Sequence, residues 1–286
     1  MSAKKIAILT DSTCDLPAPL REQYGIGVVP LHILWGGKQY RDGVDMTAEE
    51  FYRRLNEDPE IPTTSQPSPQ VFLEAYRQAA EAGAEQILVC TLSSAMSGTI
   101  ESARNAAAQS PIPVAVHDSR TNSMGLGWQV LAAARAREIG ASLEGMLEAA
   151  DQARRKMSYI ISLNTLKFLH AGGRIGGATR LIGTLLNIKP QIQVNHETGK
   201  VEAGIPARSR SSAIQGVVRT FFNQVGDGRP LHVAVLHNAV EAEALILLEQ
   251  VREQFKPDEL LLSIVSPVLG VHTGPEALAL CGYAEG

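Results

Sequence analysis

Short apolar runs rich in β-branched residues alternate with amphipathic stretches, and this alternation limits the fold more than any other feature of the chain. "KKIAIL" (4–9), "EQILVCTL" (85–92) and "PVAVHD" (113–118) read as strands. Between and after them lie "PSPQVFLEAYRQAAEAG", "TIESARNAAAQ", "GLGWQVLAAARAREIG" and "SLEGMLEAADQARRKM", which read as helices. In the first of these helices Phe72, Tyr76, Ala79 and Ala80 share one face, Ser68 stands where a cap belongs, Pro69 suits the first turn and Gly83 can end it. Strand–helix alternation requires right-handed crossovers and a parallel sheet. "GVVPLHILW" (27–35) reads as a further strand, with Pro30 implying an edge or a bulge.

The pattern changes after "SYIISL". "PQIQVNHETGKVEAGI" reads as a β-hairpin turning at "HETG", because Gln191, Gln193 and Asn195 alternate with Ile192 and Val194. "TRLIGTLLNI" reads as a helix stopped by Pro190. Two long helices are marked by Ile214, Val217, Val218, Phe221 and Val225, and by Ala244, Leu247, Leu248, Val251 and Phe255. "LHVAVL", "ELLLSIV" and "ALALCGY" are late strands. A hairpin beside crossover units predicts a mixed sheet. The expected architecture is therefore α/β with two domains: residues 1–157 with an open, mostly parallel sheet, and residues 158–286 with a mixed sheet. A length of 286 residues suits two cores better than one.

Composition closes off several functions. A net charge of −4 offers no basic field for nucleic acid. No run approaches the ~18–20 apolar residues of a membrane span. The five-residue apolar run near the start is shorter than the ~7–15 residues of a signal-peptide core. Cys14, Cys90 and Cys281 are too scattered for a disulfide framework or a zinc site, which fits a reducing cytoplasm. No phosphate-binding loop, H-E-x-x-H or C-x-x-C pattern occurs. "GLG" (125–127) lacks the third glycine of a dinucleotide fingerprint, Val130 standing in its place, and reads as a close-packed helix start.

Four polar clusters sit between the elements. "SSAMSGT" (93–99) follows the most strand-like run, and three roles are open to Ser97: nucleophile, helix cap, or part of an anion cradle at a helix start. A nucleophile elbow would need glycine on both sides, and only Gly98 is present. "PTTSQPSP" (62–69) pins three hydroxyl residues and a glutamine between prolines, which fixes short polar groups at low entropic cost. "AGGRIGG" (171–177) surrounds Arg174 with glycines that permit close backbone approach. "VHTGPEAL" (271–278) places His272 before a Gly-Pro turn that reads as the start of a short helical segment.

Together with "ILTDSTCDLP", "DSRTNSMGLG", "NIKPQIQV" and "GKV", these clusters occur in an order that resembles the DegV family over essentially the whole chain. The resemblance implies a two-domain α/β protein that holds one long-chain fatty acid in a deep apolar tunnel. It further implies a non-catalytic subunit of a bacterial fatty-acid kinase, presenting the carboxylate to a separate ATP-binding kinase subunit for acyl-phosphate formation. Such a chain would need no cofactor or metal of its own, bind no nucleic acid, and make no stable membrane insertion. Carried over by position, Thr64 and Ser97 would hold the carboxylate, with Arg174 nearby and His272 completing the pocket. Thr63 could substitute for Thr64, Ser93 or Ser94 could substitute for Ser97, and Gly98 lies beside them. Many members continue the histidine segment as H-x-G-P-G, whereas Glu276 follows Pro275 here. The alternatives are a hydrolase or transferase using Ser97, and a lipid-binding protein with no kinase role.

Overall fold

The computed structural model describes residues 5–181 and 188–286, and among the described residues the strands form three sheets. In chain order the strands are β1 (Ile6–Asp11), β2 (Ile26–Val29), β3 (His32–Trp35), β4 (Lys38–Arg41), β5 (Thr63–Ser65), β6 (Gln86–Thr91), β7 (Val114–Asp118), β8 (Ser158–Ser162), β9 (Gln191–Asn195), β10 (Lys200–Ala203), β11 (Leu231–His237), β12 (Glu259–Ile264) and β13 (Leu278–Ala284). The helices are α1 (Ala18–Gln23), α2 (Ala48–Glu57), α3 (Pro69–Glu81), α4 (Thr99–Ala107), α5 (Ser123–Glu138), α6 (Leu143–Lys156), α7 (Lys167–Ala171), α8 (Arg210–Val225), α9 (Glu241–Phe255) and α10 (Pro267–Thr273).

The first sheet has the order β2-β1-β6-β7 and is parallel throughout. The chain leaves β1 toward β2 on one side and leaves β6 toward β7 on the other. Its connections therefore reverse between β1 and β6, which opens a crevice at the carboxyl ends of these two strands. The second sheet has the order β10-β9-β8-β13-β11-β12 and is mixed, with β11 and β12 its parallel pair. The hairpin is as expected, with Lys200 opposite Asn195 across the turn.

Strand alternation gives the mixed sheet two apolar faces. Ile160, Val233, Val235 and Leu280 meet Val217 and Phe221 of α8 and Leu247 and Val251 of α9. Tyr159, Ile161, Ile192 and Leu236 face the other way, into a core shared with Leu88 and Cys90 of β6 and with α5. Helix α5 is buried on nearly all sides from Ser123 to Ala134, which is why that stretch shows small and apolar residues without a polar stripe. The "GLG" segment lies in its first turns, and Trp128 Nε1 donates to the Cys281 carbonyl at 3.1 Å.

Several expectations need correction. The run 27–35 is two strands in two sheets: Pro30 has no N–H to give a ladder, and the chain breaks there into β2 and β3. Strands β4, β3 and β5 form a small antiparallel sheet that the sequence reading missed. It also missed α2, whose capping box joins Thr47 and Glu50. Ser68 occupies the cap position of α3 but its side chain makes no capping bond. The Gly274-Pro275 turn ends α10 rather than starting a helix. Of the helix expected over 179–188, the described part is a short 3₁₀ turn, Gly176–Leu181, and residues 182–187 lie outside the described residues.

A charged clamp holds α5 to the far edge of the mixed sheet. His232 Nδ1 lies 2.9 Å from Glu259 Oε2, and its Nε2 lies 3.0 Å from Glu285 Oε1. Arg135 of α5 donates to both Glu259 oxygens at 2.8 Å. Burial opposes charge on the imidazole, but the two facing carboxylates outweigh it and raise the His232 pKa above its ordinary value. A raised folded-state pKa contributes stability that is complete below about pH 6.5 and is lost as pH rises through the raised value. His232→Gln should therefore cost about 2 kcal/mol at pH 6, and the gap from wild type should narrow toward pH 9 in urea denaturation. A gap that does not change with pH would mean that the imidazole is neutral in the fold.

Candidate functional site

The crevice at the β1/β6 reversal continues into a cavity between the two larger sheets. One wall is the inner face of the mixed sheet. Register places Ile192, Ile161, Ala279 and Leu236 side by side on four neighbouring strands. All four line the cavity, and Ala279 is the small residue among larger ones, so the floor dips at β13. Facing them are Thr13 and Leu92, which follow β1 and β6, and Val268 and Leu269 of α10. Asp11 ties the two loops at the reversal point: it accepts from the Leu92 N–H at 2.7 Å and from the Thr13 hydroxyl at 2.6 Å.

Polar groups gather at one part of this lining. Thr64 Oγ1 lies 3.0 Å from His272 Nε2, while His272 Nδ1 is buried without a partner. Ser97 Oγ lies 2.9 Å from Thr99 Oγ1 and accepts from the Thr99 N–H at 3.3 Å, at the start of α4. Arg174 is exposed, donating to the Met96 carbonyl through Nε at 3.3 Å and to the Gly172 carbonyl at 2.7 Å. Thr64, Ser97, Arg174 and His272, drawn from four separate sequence clusters, all line the one cavity. An exposed guanidinium and half-buried hydroxyls mark this as the mouth, and the apolar sheet face lies behind them.

Two glycines make the assembly possible. A Cβ at Gly172 would lie 2.2 Å from His272 Nδ1, and one at Gly98 would lie 2.3 Å from Gln66 Oε1. Gln66 in turn donates to Ser102 Oγ at 3.2 Å, so the proline-stiffened loop docks onto the first turn of α4. Gly98 is thus a packing position beside the lining.

The neighbours of the lining hydroxyls are placed elsewhere. Thr63 is exposed, on the opposite side of β5 from Thr64. Ser94 is exposed and bonded to Asp118 through both its N–H and its hydroxyl. Ser93 is buried and donates to the Gly199 carbonyl at 2.7 Å. The sequence reading overlooked Thr13, Asn122, Tyr159 and Asn238, which also line the cavity. Tyr159 and Asn238 are lone polar residues in or beside apolar runs, whereas Thr13 and Asn122 lie in the polar turns "TDSTCD" and "DSRTNS", where nothing marks which side chain faces inward. Glu276 is exposed and outside the lining. Its φ of 62° is a conformation that glycine adopts freely and other residues enter at a cost.

The arrangement is suited to holding an anion. The start of a helix, hydroxyls and a guanidinium all favour negative charge. A hydrolytic triad is not assembled: the hydroxyl of Ser97 pairs with Thr99, and His272 pairs with Thr64 with no carboxylate on its other nitrogen. Burial, with the positive charge of Arg174 adding to it, pushes His272 down to about 4, so it is neutral at pH 7. Among the described residues no group of histidines, cysteines and carboxylates is placed to hold a metal ion, and no helix is long and apolar enough to cross a membrane.

Comparison with known proteins gives a consistent result. A family model described as an uncharacterised protein of the DegV family matches residues 5–285. A DegV domain-containing protein of Streptomyces coelicolor is 36% identical over 279 residues, 97% of this chain and 98% of that protein. Among solved structures, a DegV family protein from Thermus thermophilus, described by its fatty acid binding, superposes with a TM-score of 0.92 at 36% identity, covering 98% of this chain and 99% of that one. A stearic acid-binding protein from Eubacterium ventriosum superposes with a TM-score of 0.89 at 26% identity, covering 98% of each chain.

Two outcomes follow from the geometry. In the ligand-free protein the His272 imidazole should show no titration between pH 8 and about 5.5 by NMR, and Arg174→Gln should raise its pKa. A midpoint near the ordinary value of about 6.5 would mean that the ring is solvated. Glu276→Gly should stabilise the fold by up to about 1 kcal/mol in thermal unfolding by releasing the left-handed strain, and a loss of stability would show that Glu276 is held by contacts that offset it.

Proposed function

This chain belongs to the DegV family, and from that premise we propose that it binds one long-chain fatty acid in the cavity between two units, residues 1–157 and 158–286, and presents its carboxylate to a separate kinase subunit. The observation that carries the reading is the convergence of Thr64, Ser97, Arg174 and His272 in one part of a cavity whose lining is mostly apolar. Each methylene moved from water into such a wall is worth roughly 0.8 kcal/mol, so the chain supplies affinity while the polar end sets direction. Solved relatives described as fatty-acid-binding support the ligand class.

The kinase role goes a step further. Hydroxyls and a guanidinium would hold the carboxylate ionised at the mouth, where a carboxylate oxygen can attack the terminal phosphoryl group of ATP on the partner. A bond forms between that oxygen and phosphorus, the bond to the bridging oxygen of ADP breaks, and an acyl-phosphate remains on this chain. In this reading the chain is not itself an enzyme, takes no cofactor, and works in the cytoplasm.

Native mass spectrometry of protein purified from bacteria should find one bound acid of roughly 14–18 carbons. Ala279→Phe should abolish retention by filling the dip in the floor, and Ser97→Ala should weaken it about tenfold without unfolding the protein. With ATP and a candidate kinase subunit, Arg174→Ala should lower acyl-phosphate formation more than fatty-acid occupancy, because the acyl chain is untouched. Retention by both Ala279→Phe and Ser97→Ala at wild-type levels would place the ligand elsewhere. A loaded protein that no fatty-acid kinase subunit phosphorylates would be a lipid-binding protein alone.

A further inference from the structure

Asp15 and Asp42 are 7% and 2% exposed, and among the described residues neither pairs with a lysine, arginine or histidine. Burial pushes both carboxyls up to about 7, so at neutral pH they burden the fold. Both belong to the first unit: Asp15 to the loop after β1, Asp42 to the residue after β4. Each accepts a backbone N–H from the segment that opens α10. The Ser266 N–H reaches Asp15 Oδ1 at 3.0 Å, and the Val268 N–H reaches Asp42 Oδ1 at 3.3 Å.

The second oxygen of each carboxyl is held as well. Ser123 Oγ donates to Asp15 Oδ2 at 2.5 Å, and Ser12 Oγ donates to Asp42 Oδ2 at 2.7 Å. Helix α10 has no cap of its own. Ser266 at its cap position makes no side-chain capping bond, and Pro267 brings no N–H. At the other end Asn238 Nδ2 donates to Thr273 Oγ1 at 2.8 Å and to the Gly274 carbonyl at 2.6 Å. The helix so held carries Val268, Leu269 and His272 of the cavity wall.

We propose that Asp15 and Asp42 are positioning residues for the cavity, capping α10 from the other unit and thereby setting the place of His272 against Thr64. A seven-residue helix is too short to persist by its own propensity, so its position is set by its packing against Phe51 and Tyr52 of α2 and by the bonds that hold its ends. The effect on ligand rests on the fatty-acid reading; the effect on α10 does not.

The experiment compares Asp42→Asn, which keeps an oxygen for the Val268 N–H, with Asp42→Leu, which keeps the size and removes it. In ligand-free protein, Asp42→Leu should speed amide hydrogen exchange at Val268–Thr273 about tenfold beyond any global change, and weaken palmitate binding about tenfold. Asp42→Asn should stay within about threefold of wild type in both and be no less stable at pH 8. A purely structural carboxylate would leave α10 exchanging in step with the whole molecule. That result, or equal behaviour of the two variants, overturns the proposal. If Asp42→Leu does not fold, Ser12→Ala, which frees one side of Asp42, should speed exchange in α10, and unchanged exchange there overturns it. If wild type itself fails to bind palmitate, the fatty-acid reading falls while the exchange comparison still decides the role of Asp42.

Discussion

A mixed sheet with two apolar faces and two long helices of its own sets the terms for this molecule. Helices α8 and α9 cover one face, and the other must be covered by something from the first half of the chain. Helix α5 supplies part of that cover, and from Ser123 to Ala134 it is almost wholly buried and mostly apolar or small because it lies between sheets. The rest of the cover is made by short loops from the carboxyl ends of β1 and β6 and by α10. Short loops and a seven-residue helix do not fill the space as a long helix would, and the cavity lies where they meet the sheet. The pocket is thus a consequence of which elements are long and which are short.

The same reasoning explains what the sequence disclosed. Strands and long helices were legible because burial on one or both faces leaves a period of two, a continuous apolar run, or a 3.6-residue stripe. The break at Pro30 was hidden because "GVVPLHILW" stays apolar across it, and only the pairing shows that β2 and β3 serve different sheets. Strand β4 is polar and three of its four residues are exposed, so its sequence carries no signal of burial. Helix α10 contains Pro267 and Gly270, and it is helical because of tertiary contacts that no local pattern records.

The polar clusters were legible because hydroxyls set among prolines and glycines stand out between apolar elements. Which hydroxyl faces inward was not. Thr63 and Thr64 are neighbours on one strand and point to opposite sides, and the choice depends on Ile33 pairing with Thr64 and Leu34 with Thr63. A shift of one residue in that pairing would exchange their places. Asn238 and Tyr159 were hidden for the opposite reason: each is a lone polar residue in or beside a strand whose neighbours announce only core.

The buried acids tie the start of α10 to the segments that follow β1 and β4. Apolar packing between sheets is non-directional and would tolerate small slides of one sheet over the other. Hydrogen bonds from the N–H groups of Ser266 and Val268 to the carboxyls of Asp15 and Asp42 do not, because their strength falls steeply with misalignment. They act at one end of a helix whose other end carries His272, within reach of Thr64 on β5 of the small sheet. A shift at the amino end of α10 therefore moves the imidazole ring relative to its hydroxyl partner, and a polar contact of 3.0 Å has little slack. The cost of burying two acids is local, near the carboxyls, whereas the gain in order is felt at the mouth of the cavity, along the length of α10.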